Sequence, residues 1–174
     1  MHLTCRDLVS TDSSVLENWI CTDPARTQFS PMRGKFHPAP WELSVQSLIR
    51  TQKIMKIDRS PNQIALGVFL EEIIVGVAFI DFNHPRNAFH IGAISCNINF
   101  QNQGMSQEIL AEAVHRSIEH PKFKSIETKR FYCEVDSRNT KSIRALEKFG
   151  FMFAGSASTE QSSGEGIFTY IYQA

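Results

Sequence analysis

From Ile64 to Leu70, and again from Ile73 to Phe82, the chain runs through aliphatic, β-branched and aromatic residues, with only Glu71-Glu72 between the two runs. Such runs favour strands, and so short a polar break turns the second back on the first, which predicts a hairpin. Asn83-His84-Pro85-Arg86-Asn87 supplies another turn, and a third run follows from Ala88 to Ile98. A meander of three strands therefore anchors the reading of the chain. The other segments must cover or extend it.

Before the meander, Leu3 to Val9 reads as a strand, and Thr11-Asp12-Ser13-Ser14 offers N-cap residues to a short helix carrying Val15, Leu16, Trp19 and Ile20. Pro24, Pro31, Gly34, Pro38 and Pro40 break residues 23–40 into a long irregular connection, of a kind often used for function. Trp41 to Met55 spaces Leu43, Val45, Leu48, Ile49 and Ile54 as an amphipathic helix does. After the meander, Met105 to His120 fits a helix with Met105, Ile109, Ala113 and Val114 inward and Glu108, Glu112, His115 and Glu119 outward. Arg130 to Val135 reads as a strand, and Thr140 to Phe149 as a helix that Asn139 caps and Gly150 stops. Strands near Phe151 to Ala154 and Ile167 to Tyr172 close the pattern, joined by a surface loop over 155–166. The order predicts an α/β fold: a mixed sheet of about seven strands with helices on both faces.

At 174 residues, 42% hydrophobic and 21% charged, the chain has the size of one domain with a sizeable core. We read 1–174 as that domain, with 1–62 contributing a strand and helices ahead of the core at 63–174. Eighteen basic and eighteen acidic side chains leave a net charge of zero, so no global field draws in nucleic acid or an anionic membrane. The first residues, Met1 to Asp7, lack a signal-like apolar run, and no stretch reaches the ~20 apolar residues that span a bilayer, so a cytoplasmic location is expected. Cys5, Cys21, Cys96 and Cys133 show no zinc-ligand spacing and are read as reduced structural thiols, with no metal site.

The most informative stretch is Gln101-Asn102-Gln103-Gly104-Met105-Ser106, between a strand and an amphipathic helix. There, unpaired backbone N–H groups and the positive end of a helix dipole converge on one point, which suits an anion such as a pyrophosphate. Gly104 removes a β-carbon from that approach, and Ser106 is nearly as small. About 35 residues on, Val135-Asp136-Ser137-Arg138-Asn139-Thr140-Lys141-Ser142 and then Glu147-Lys148-Phe149-Gly150-Phe151 form a second block: strand, N-x-x-S, helix, E-K-x-G-F. Alone, Asn139 is an N-cap and Gly150 a helix stop; the ordered pair of blocks carries the information.

Together they resemble the two hallmarks of the GCN5-related N-acetyltransferase (GNAT) superfamily, over roughly residues 64–172. The nearest branch by this likeness holds ribosomal-protein, spermidine and nucleotide-sugar acetyltransferases. The resemblance implies a mostly antiparallel sheet with one splayed strand pair that holds acyl-CoA, and acetyl-CoA as the acetyl donor. It implies that Gln101, Asn102, Gln103, Gly104, Met105 and Ser106 cradle the pyrophosphate. It places the pantetheine against main chain near Ile94, Ser95 and Cys96, within one or two residues, with Asn139 and Ser142 beside it.

The implied reaction is attack by a neutral amine on a thioester carbonyl, through a tetrahedral oxyanion, with departure of thiolate. An alkyl amine of pKa ~10 must lose a proton first, so a base is needed. His90, on the strand leading to the site, is the first candidate because imidazole titrates near neutral pH, and Glu134 is the second. The main-chain N–H near Cys96 is the candidate oxyanion donor. Many members carry a Tyr acid where this chain has Leu146, so Ser95 or a water is expected to stand in; a thiol of pKa ~8.5 leaves fairly well unaided. His84, beside Pro85, reads as a turn residue.

The expected acceptor is a primary amine of a small molecule or amino-sugar, with a protein N-terminus or lysine as the alternative and a non-catalytic acyl-CoA-binding module as the third reading. Arg26, Arg33, Lys35, Phe36, His37 and Trp41 in the first half could contact an acidic or nucleotide-linked acceptor. That segment offers only Glu42 as a carboxylate, so polyamines rank low. Expected partners are the small-molecule amine and, as an assembly, a homodimer; neither nucleic acid nor membrane is expected.

Overall fold

A computed structural model describes residues 2–22, 29–30, 35–36, 40–50, 60–158 and 166–174. Its centre is the expected meander: β4 (Gln63–Leu70), β5 (Ile73–Asn83) and β6 (Ala88–Cys96). Leu70 pairs directly with Ile73, so Glu71-Glu72 is the whole hairpin loop, and Glu71 takes the left-handed backbone that the tight turn demands (φ 55°). β1 (Leu3–Asp7) flanks β4, and β7 (Arg130–Asp136), β9 (Gly166–Gln173) and β8 (Met152–Ser158) extend the other side, in the order β1-β4-β5-β6-β7-β9-β8. Every pairing is antiparallel except β6 with β7. The seven-stranded mixed sheet is the one the sequence predicts.

Successive residues of β4 and β5 point to opposite faces, and both faces are apolar, so the sheet needs cover on each side. Ala65, Val77 and Phe79 pack with Leu16 and Trp19, on or just after α1 (Ser13–Glu17), and with Ile49 of α2 (Pro40–Arg50). Leu66, Ala78 and Ile80 pack with Leu110, Ala113 and Val114 of α3 (Met105–Glu119), and with Leu146 of α4 (Thr140–Phe149). The Trp19 indole N–H donates to the Ile74 carbonyl at 2.9 Å, fixing the chain after α1 to the sheet. His120, buried at the end of α3, donates from Nε2 to Asp7 of β1 at 3.0 Å and accepts the Lys122 N–H at Nδ1, which ties the far end of α3 to the edge strand.

Several boundaries differ from expectation. The 23–40 connection contains a small hairpin, β2 (Phe29–Ser30) with β3 (Lys35–Phe36). α2 is described to Arg50, and the expected continuation to Met55 lies outside the described residues. α1 stops at Glu17, before Trp19 and Ile20. Asp12 precedes α1 but makes no capping bond to it; its carboxylate instead accepts from both terminal Arg6 guanidinium nitrogens at 2.8 Å and from the Val9 N–H at 2.8 Å. β6 ends at Cys96 and not Ile98, because the Asn97 side chain turns back to accept the Asn99 N–H and opens a 3-10 turn.

The Arg6 hydrogen bonds hold the Asp12 carboxyl below the usual carboxylate range. Stability from this pair is complete above that ordinary range and is lost as pH falls through the lowered folded value. Asp12→Asn is expected to cost about 1 kcal/mol at pH 7, with the difference from wild type shrinking in acid. Urea melts at pH 7 and pH 3 check this.

Candidate active site

β6 and β7 meet at only two pairs, Phe89 with Phe131 and His90 with Tyr132. Phe89 and Phe131 are fully buried and stacked, with ring centroids 4.9 Å apart and planes 22° from parallel. Beyond this rivet the strands part. Phe79 pairs with Ala93 and Ile80 with Ile91, so Gly92 is an extra residue in β6, a bulge that bends the strand where the gap begins. Between the parted strands lies a cleft of about 540 Å³, walled by residues 91–96 of β6 and 133–136 of β7. Ile109 and Leu110 of α3 and Leu146 of α4 supply apolar wall, and Trp41, Glu42 and Val45 of α2 border it on the other side of the sheet.

Of the loop over 101–106, Gln101, Asn102, Gly104, Met105 and Ser106 line this cleft and Gln103 does not. Gly104 adopts φ 82° as the N-cap of α3, a conformation glycine takes without cost, and a β-carbon there would meet no atom within 4 Å. Asn102 is left-handed as well (φ 62°). The Gln101 side chain holds the loop in place, donating to the carbonyls of Cys21 at 2.6 Å and Cys96 at 3.1 Å, and Gln103 donates to the Asn99 carbonyl at 2.9 Å. The two glutamine side chains thus organise the loop, and main-chain N–H groups at the start of α3 are the kind of surface that suits an anion. Across the cleft, Asn139 accepts the Ser142 N–H at 3.3 Å, the cap expected for α4, and both residues line the opening.

Lys141, Arg144 and Lys148 also line the cleft, and the sequence reading passed over them. Their i, i+3, i+7 spacing puts three cations on one face of α4. Helical spacing from Asn139 onward was the signal that could have found them.

Of the catalytic candidates, Ser95 and Glu134 are on the cleft wall and His90 is not. Ser95 lies beside the Cys21 thiol, which donates to the Glu42 carbonyl at 3.9 Å. Glu134 is half-exposed and pairs with Arg86 at 3.3 Å. His90 sits at the last β6–β7 pair, its Nδ1 2.9 Å from Asp81 and its ring stacked on Tyr132. His84 packs edge-on against Phe82 in the β5–β6 turn, as a turn residue. Among the described residues no tyrosine lines the cleft; the position of the usual acid is Leu146, only 5% exposed. Trp41 lies 5.4 Å beneath the Arg138 guanidinium. Arg26, Arg33 and His37 fall outside the described residues, as do the side chains of Lys35 and Phe36.

Burial raises the thiols of the cleft: Cys96 to about 11, Cys133 to about 12, and Cys21 upward against the opposing influence of the Ser95 side chain. All three stay protonated at neutral pH and are poor nucleophiles.

The model of the acetyltransferase (GNAT) domain family matches residues 2–152. The chain belongs to the GNAT acetyltransferase family. It is therefore a transferase of the N-acetyltransferase kind, and the donor this family uses is acetyl-CoA. No curated protein sequence matches it. Among solved structures, this GNAT chain resembles a Bacillus anthracis protein assigned as a streptothricin acetyltransferase, in complex with acetyl coenzyme A (TM-score 0.71, 16% identity, 99% of this chain and 100% of that one). It also resembles a chimera of the spermidine N-acetyltransferase SpeG from Vibrio cholerae and hSSAT (TM-score 0.63, 15% identity, 99% and 96%). A third match is a GNAT-family acetyltransferase from Streptococcus pneumoniae (TM-score 0.61, 21% identity, 99% and 100%). At these identities the likeness is one of fold.

The open left-handed Gly104 and the gap between β6 and β7 fit such a donor. Gly104→Glu is expected to abolish acetyl-CoA binding in calorimetry, because it places a β-carbon and a negative charge where a phosphate must approach. The added β-carbon clashes with nothing in the structure, so the cost to folding is that of a left-handed backbone on a non-glycine residue, about 1 to 3 kcal/mol, and a thermal melt checks that the variant is folded. Unchanged affinity would remove the loop from the cofactor site.

Proposed function

We propose that this enzyme transfers the acetyl group of acetyl-CoA to a primary amine of a small molecule or amino-sugar, by direct attack on the thioester. The observation that carries the reading is the convergence of the parted β6–β7 edge, the 101–106 loop and a cleft whose thiols are all held neutral. Acetyl-CoA supplies an activated acetyl carbon. Residues 94–96 offer main-chain groups along which an extended pantetheine arm can run as a strand would. The N–H near Cys96 is the proposed oxyanion donor, and the N-terminus of α3 with Met105 and Ser106 receives the pyrophosphate. Lys141, Arg144 and Lys148 add positive charge toward the remaining phosphate of the donor.

A thiol that stays protonated gives no acyl-enzyme, so both substrates must be bound together and the amine must lose its proton to the protein or solvent. His90 is the proposed base and Glu134 its rival. The missing tyrosine is no obstacle, because a thiolate leaves without full protonation. Ser95 or a water serves the sulfur.

Release of free thiol from acetyl-CoA, measured against amino-sugars, polyamines, amino acids and peptides, tests the reading. Turnover is expected on a small amine, and turnover on peptides alone would contradict it. Intact mass after mixing with acetyl-CoA but no acceptor should stay unchanged; a stable gain of one acetyl group on a cysteine would replace direct attack by a two-step route.

A further inference from the structure

On the sheet face that α1 and α2 cover, at the pair where β6 and β7 part, a group of side chains is locked around one imidazole. His90 Nδ1 lies 2.9 Å from Asp81 Oδ1 on the neighbouring β5, with the ring a quarter exposed and the carboxylate a third. The ring stacks on Tyr132 at 4.7 Å and 19°. Tyr132 is pinned in turn: its hydroxyl accepts the Asn83 side-chain amide at 2.8 Å, and the Arg86 guanidinium covers its ring at 4.5 Å. Ring plane and ring rotation of His90 are both fixed. Its Nε2 has no partner among the described residues.

The imidazole is also aimed. A β-carbon built on Gly92 would lie 3.6 Å from His90 Cε1 and 3.8 Å from Nδ1, so the Cε1–Nδ1 edge of the ring faces Gly92. Gly92 is a wall residue of the cleft. With glycine at the bulge, residue 92 puts no side chain between itself and that edge of the ring.

We propose that Asp81 is a positioning residue for catalysis: by accepting the Nδ1–H it holds His90 as the tautomer whose Nε2 lone pair takes the proton of the acceptor amine. This rests on the acetyltransferase reading given above. A carboxylate on one nitrogen selects the tautomer and steadies the charge that forms when the other nitrogen is protonated. As the amine nitrogen bonds to the acetyl carbon and the carbon–sulfur bond breaks, Nε2 receives the proton that nitrogen loses. The imidazolium later returns it to the departing thiolate or to solvent. The titratable groups in contact with the ring among the described residues are Asp81 from β5 and Tyr132 from β7; Arg86 from the turn lies over Tyr132, and Glu134 of β7 pairs with Arg86. Arg86 and Glu134 neutralise each other as a pair. That leaves Asp81 as the unbalanced charge beside the imidazole, and it leaves Glu134 engaged elsewhere.

Two measurements on the full chain decide it. Long-range proton–nitrogen correlation spectra, taken at a pH where His90 is neutral, should show the ring protonated at Nδ1 in wild type and relaxed to a mixture in Asp81→Ala. With any amine that wild type acetylates, Asp81→Ala should lose about 10- to 100-fold in kcat while keeping its acetyl-CoA affinity, and Asp81→Glu should recover part of the loss. His90→Gln should lose the acid-side rise of kcat/KM with pH. A wild-type ring protonated at Nε2, or an Asp81→Ala enzyme as fast as wild type, would overturn the proposal. Asp81→Asn repeats the comparison should Asp81→Ala melt early. If wild type acetylates no amine, the acetyltransferase reading fails on its own, and the spectra still decide whether Asp81 sets the tautomer.

Discussion

The stack of Phe89 on Phe131 is the constraint from which the site follows. It closes the sheet at the start of β6 and β7 and allows parallel pairing for two residues only. Had the strands stayed paired, their main-chain groups would have satisfied one another and no ligand could have entered. The bulge at Gly92 bends β6 at the same place, so the gap opens on a firm hinge of aromatic packing. Removing Phe131 would cost cavity energy of about 3 to 5 kcal/mol and would also loosen the geometry of the cleft.

The second requirement is that the loop over 101–106 keep its shape. Gln101 does this by bridging Cys21, in the chain after α1, and Cys96, at the end of β6. One side chain thereby joins the first part of the chain and the end of β6 to the loop over 101–106. Gln107 extends the frame by donating to the Ala145 carbonyl at 2.8 Å, which fixes α3 against α4 across the cleft floor. A loop held in shape in this way presents its main-chain N–H groups without first having to be ordered.

Much of this was legible in the sequence because it depends on local rules. The meander follows from composition and a two-residue break, and α4 from an Asn cap and a Gly stop, which fold as their chemistry dictates. The loop over 101–106 was legible because a glycine and a small serine stand between a strand and an amphipathic helix, and the left-handed backbone of Gly104 emerged only in the structure. What escaped were properties of assembly. Asp12 reads locally as a cap, yet Arg6 captures it. Gln101 reads as a ligand residue by resemblance, but its amide is spent on two carbonyls. Asp81 gives no signal at all, since its partner His90 is set beside it by strand register. Such pairs exist only once the sheet has formed.

The central claim is that the parted edge of β6 and the start of α3 together bind the donor. Hydrogen–deuterium exchange of the intact chain, with and without saturating acetyl-CoA, tests it most directly. The account predicts slowed exchange confined to amides within residues 91–96 and 102–106 and the first turn of α4, with β4 and β5 unchanged. Binding of acetyl-CoA that left residues 91–96 exchanging at their original rate would contradict it.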